Sequence, residues 1–121
     1  MTFDVEVVLK GTDYAVTEKL IAPPGNPSTW SEIQVRDVLV EVLRAIDRAQ
    51  NPKAPRDRAV SLTGFSWIVE PSDGQSVIAI EIPMGAAVAG PFAIEQAALD
   101  KLITGVIRNE RMKMSAGTTI H

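Results

Sequence analysis

The chain of 121 residues has no cysteine, and its one histidine, His121, is the last residue. Those two shortages remove much chemistry. No disulfide framework, thiol nucleophile, thiolate zinc site or cysteine-held iron–sulfur cluster can be built. A terminal histidine leaves no base inside the domain for a Ser-His-Asp triad and no imidazole set for a metal. Aromatic residues are also scarce, at 5%. The chain has no excess of positive charge: Lys plus Arg is 12 against Asp plus Glu 15, a formal net charge of −3. Nucleic-acid binders draw most of their affinity from phosphate neutralisation, so this balance argues against one. Long hydrophobic runs are missing too. The longest uncharged apolar stretch, Ile82 to Ile94, holds about 13 residues broken by Pro and Gly, where a membrane span needs about 20. The opening Met1-Thr2-Phe3-Asp4-Val5-Glu6 carries no basic segment followed by an apolar run. The expectation is a cytoplasmic protein with no cofactor, metal, membrane or nucleic-acid partner.

Hydrophobic residues nevertheless make up 45% of the chain. At this mass a folded domain buries about two-thirds of its extended-chain surface, enough for one core without staples. We expect a single domain over residues 1–114 and a flexible C-terminal tail over 115–121.

Phe3, Val5, Val7 and Leu9 alternate with Asp4, Glu6, Val8 and Lys10, the period of a half-buried strand. Gly11-Thr12-Asp13 signals a turn, and Tyr14 to Ala22 returns as a second strand with imperfect alternation. Pro23-Pro24-Gly25-Asn26-Pro27 belongs to neither strand nor helix interior. Thr29, followed three positions later by Glu32, has the spacing of a capping box. Beyond it Val35, Val38, Leu39, Val42, Ile46 and Ala49 form one helical stripe, widened by Leu43, until Asn51-Pro52 ends it. Phe65, Trp67 and Val69 then alternate with Ser66, Ile68 and Glu70. Pro71-Ser72-Asp73-Gly74 predicts a tight turn into a strand carrying Ile78, Ile80 and Ile82. Met84 to Gly90 reads as a small-residue loop, with Pro91 opening a second helix whose apolar face is Phe92, Leu99, Leu102, Ile103 and Val106.

A displacement of 60 positions lays Val5 on Phe65, Val7 on Trp67, Leu39 on Leu99 and Val42 on Leu102. The expected fold is therefore α+β, a ββαββα pseudo-repeat: a four-stranded, mainly antiparallel sheet with two helices on one face. The other face then needs cover. Ile68 opposes Phe65 and Trp67, Val77 and Ala79 oppose the three isoleucines, and Ile33 and Val40 sit on the charged side of the first helix. Apolar residues on both sheet faces predict a homo-oligomer, a dimer or higher, through the apolar sheet face or the first helix.

Glu95 falls on the apolar stripe of the second helix, where a desolvated carboxylate could act as a general acid or base. Acids are also favoured near helix N-termini on electrostatic grounds alone. Trp67 with Ser66 could stack a planar ligand, and Gly85 and Gly90 could shape a backbone pocket. Core or interface packing accounts for Trp67 better, and the glycine segment lacks the lysine and Ser/Thr of a phosphate loop. Arg44, Arg48, Lys53, Arg56 and Arg58 cluster where the first helix ends, diluted by Asp47 and Asp57. The leading expectation is a self-associating accessory or interaction protein. The alternative is a small-molecule-binding protein or metal-independent enzyme, with Glu95 moving a proton in an apolar pocket beside Trp67.

Overall fold

The computed structural model describes residues 1–53 and 59–118, with side chains described as far as residue 113. The chain folds as α+β with five strands rather than four: β1 (Thr2–Leu9), β2 (Ala15–Ile21), α1 (Glu32–Gln50), β3 (Ser66–Ser72), β4 (Gln75–Ile82), β5 (Gly85–Phe92) and α2 (Gln96–Thr118). The sheet is antiparallel, in the order β2-β1-β5-β4-β3.

The fifth strand occupies the segment expected to be a loop. Gly85-Ala86-Ala87-Val88-Ala89-Gly90 has weak intrinsic strand preference, yet β1 and β4 pair with it on both sides. Pairing on two edges overrides propensity, as central strands allow. The small side chains let the two helices settle close above the sheet centre, where Ala87 and Ala89 are buried. Pro91 accordingly lies in β5, and the second helix opens five residues later, at Gln96. The pseudo-repeat fails with the same observation. The second half holds three strands to the first half's two, and β1 lies inside the sheet while β3 lies at its edge.

Alternation sets which side chains enter the core. In register across the sheet, Val5 faces Ala89, Ala89 faces Ile78, and Ile78 faces Val69. All four are buried beneath the helices, together with Phe3, Val7, Ile80 and Ala87. The first helix covers β1, β5 and β2, the second covers β3 and β4, and the two touch each other. The stripe read from the sequence is the one α1 buries: Val35, Val38, Leu39, Val42, Leu43 and Ile46. Its start lies two residues beyond the expected cap. Ser31 is the N-cap, and its N–H donates to Gln34 Oε1 at 2.8 Å. Thr29 instead closes a single 3-10 turn over Pro27–Thr29, capped by Asn26. That turn brings Trp30 into the core, edge-on to Phe92 with ring centres 5.6 Å apart.

Ser76 is the one fully buried polar side chain among the described residues. It sits where β4 and β5 lose register, and its Oγ donates to the Ile94 carbonyl at 2.7 Å. This bond ties the approach to α2 onto the sheet. Ser76→Ala leaves that carbonyl unsatisfied, and urea unfolding is expected to show a loss of about 1–2 kcal/mol.

Candidate functional site

The face of the sheet away from the helices has no cover among the described residues. The register lays out its side chains in three rows crossing from β2 to β3. One runs Lys19, Asp4, Gly90; the next Thr17, Glu6, Val88, Ala79, Ile68; the third Ala15, Val8, Ala86, Glu81, Ser66. Val77 and Glu70 face each other at the β3 end. Apolar side chains hold the centre. Ile68 is 54% exposed, Val88 46% and Val8 44%, values too high for a core and contiguous across the sheet. The perimeter is acidic. Asp4 is held by Lys19 at 3.0 Å, whereas Glu6, Glu70 and Glu81 have no ion pair among the described residues.

The sequence placed half of this face correctly. Ile68 is exposed opposite half-buried Trp67, and Val77 and Ala79 lie opposite Ile78 and Ile80. The contribution of β5 went unseen. Its one large side chain on this face, Val88, gives alternation nothing to act on while alanine and glycine occupy the positions around it.

The candidate ligand residues do not form one site. Glu95 immediately precedes α2, accepts from the Leu99 N–H through its main-chain carbonyl at 3.0 Å, and is exposed. Its expected place on the apolar stripe assumed a helix already begun; with the helix starting at Gln96, the side chain turns to solvent. It borders a shallow groove of about 520 Å³ with Ser28, Pro71, Gly74 and Gln75. Trp67 lines another, of about 640 Å³, with Thr104, Ile107, Arg108, Arg111 and Met112. Ser66 faces the opposite side of the sheet from Trp67, as neighbouring strand residues must. Gly85 opens β5 and Gly90 lies two residues before its end, against the main chain of β1 and β4 respectively. At Gly90 (φ 128°) a Cβ would come within 3.1 Å of the Ser76 carbonyl oxygen. These glycines admit neighbouring strands and shape no cradle.

Two members of the basic cluster, Arg44 and Arg48, are held by internal pairing. Arg48 grips Glu18 with two bonds, at 2.6 and 3.2 Å, and Arg44 pairs with Glu41 at 3.0 Å. Arg56, Arg58 and His121 lie outside the described residues. No group of three or more His, Cys, Asp or Glu that could hold a metal occurs among the described residues. No described helix is long and apolar enough to cross a membrane. Comparison of the chain with protein-family models, with curated proteins and with solved structures returns no match.

Proposed function

We propose that this chain is a self-associating accessory or interaction module, in which a second copy covers the open face of the sheet. The observation carrying this reading is the row of exposed Val88, half-buried Ala79 and exposed Ile68, flanked by Val8 and Ala86, at the middle of that face. Apolar surface of this kind gains about 25 cal/mol per Å² when water leaves it. Five strands about 4.8 Å apart and roughly 24 Å long give a footprint near 600 Å². That is somewhat below the roughly 800 Å² per partner of an ordinary stable interface. A moderate affinity follows.

The acidic rim fixes the sign of the salt dependence. A two-fold contact brings Glu6, Glu70 and Glu81 of both copies together, so screening their repulsion tightens the dimer. A basic partner on the same face would show the reverse. Sedimentation equilibrium at low and high salt is the test. Association should strengthen with salt, and Val88→Lys or Ile68→Lys should each weaken it by at least about tenfold. A chain that stays at 13.1 kDa throughout removes the reading.

A further inference from the structure

A sheet with two outer strands has two edges, and here they are built differently. In the β3–β4 hairpin the turn residues Asp73 (φ 49°) and Gly74 (φ 80°) make Ser72 and Gln75 the closing bonded pair. Alternation then turns the main-chain groups of Trp67, Val69 and Pro71 outward. That edge is blunted twice. Pro71 has no N–H to offer, and Gln96 Nε2 donates to the Val69 carbonyl at 2.8 Å.

The β2 edge carries neither device. The bond from the Ala22 N–H to the Met1 carbonyl (2.9 Å) sets the phase of the β1–β2 ladder. Val16, Glu18 and Leu20 therefore bond to β1, while Ala15, Thr17, Lys19 and Ile21 direct N–H and C=O away from the sheet. No hydrogen bond among the described residues reaches those outward groups. The strand has no proline and no bulge, and both of its charges are engaged within the chain, Lys19 by Asp4 and Glu18 by Arg48. Beside it runs an open groove of about 750 Å³, floored by β2 and walled by Arg36, Val40 and Arg44 of α1.

We infer that the β2 edge pairs with the β2 edge of a second copy, antiparallel about a two-fold axis at Glu18, joining two sheets into one. This is a different surface from the open face, so the two contacts stand or fall separately. A second copy is favoured over an unrelated strand because the edge complements itself. Centring the axis on Glu18 pairs all seven strand residues and sets every outward residue opposite another: Ala15 on Ile21, Thr17 on Lys19. Val16 then meets Leu20 on the helix side. Glu18 meets its own copy there, and each carboxylate arrives already neutralised by the two bonds from Arg48. Strand pairing alone buries too little for a stable dimer. Tyr14 (68% exposed) precedes the strand and Ile21 (80%) ends it, and Val40 lines the neighbouring side of α1, supplying apolar contact beyond the main-chain bonds.

The test uses light scattering on the full chain and on Thr17→Pro, whose lost N–H serves no internal bond. Thr17→Pro should halve the mass of the assembly with an unchanged circular dichroism spectrum. Ile68→Lys, which touches only the open face, should leave that halving intact. Since the chain has no cysteine, Glu18→Cys supplies an independent readout. Directly opposed non-bonded residues lie about 4.5 Å apart at Cα, within disulfide reach. Mild oxidation should therefore yield a covalent dimer. The proposal is overturned by a Thr17→Pro mass equal to the parent's, by a monomeric parent, or by Glu18→Cys that stays monomeric under oxidant. If Ile68→Lys alone lowers the mass, the face contact stands and the edge contact falls.

Discussion

Phe92→Ala is expected to cost about 3–5 kcal/mol, a large share of the roughly 5–15 kcal/mol that holds a domain folded. The ring has no exposed surface and stands at the junction of three elements. Phe3 of β1 lies at 5.1 Å, tilted by 53°, and Trp30 meets it edge-on at 5.6 Å. Such pairs add to the area term because ring edges and faces carry opposite partial charge. The vacancy left by alanine has no easy way to close. Strand β5 is paired with β4 at Phe92 itself, opposite Ser76, and with both neighbours from Gly85 to Ala89, so its main chain has little freedom to collapse into the space. Chemical denaturation should show the midpoint falling with an unchanged slope. A loss below about 1 kcal/mol would mean that the Phe3–Trp30–Phe92 contact is not the keystone of this end of the core.

Gly85→Val is expected to cost about 3 kcal/mol or more, by overpacking rather than by loss of contact. At this position a Cβ would collide with the Val8 carbonyl oxygen and sit 3.0 Å from the Leu9 Cα. Both obstacles are main chain, and β1 is held by β2 on its far side, so the strand cannot step away. Gly85 is not among the glycines with positive φ, so the penalty comes from the close neighbour. Thermal unfolding is the check. A variant with the parent's midpoint would show that β1 and β5 can separate locally at this end.

Much of the fold was legible because the sequence alternates cleanly where one face is buried and the other wet. β1 and the β3–β4 hairpin announce themselves in that way, and α1 does so through its stripe. β5 was hidden by its role. A central strand beneath two helices is filled with alanine and glycine so that the layers can approach, and alanine and glycine carry no periodic signal. Its absence from the reading also moved the start of the second helix to Pro91, which placed Glu95 inside an apolar stripe it does not occupy. The open face was half visible, through Ile68, Val77 and Ala79. The difference between the two edges was not visible at all, since it depends on which main-chain groups point outward and on Gln96 arriving from another element.

The place of β5 also governs the order in which the molecule can be completed. β1 sits beside a strand about 80 positions further along the chain, and the whole centre of the sheet waits for that pairing. During synthesis the β1–β2 hairpin and α1 emerge long before the strand that joins them to β4. Until β5 arrives, β1 shows a second bare edge and Val5 and Val7 lack one of their flanking strands. Such intermediates are where hydrophobic surface and unpaired edges meet solvent together. A ribosome-bound chain halted before residue 85 should therefore lack the resistance to proteolysis that the finished sheet confers.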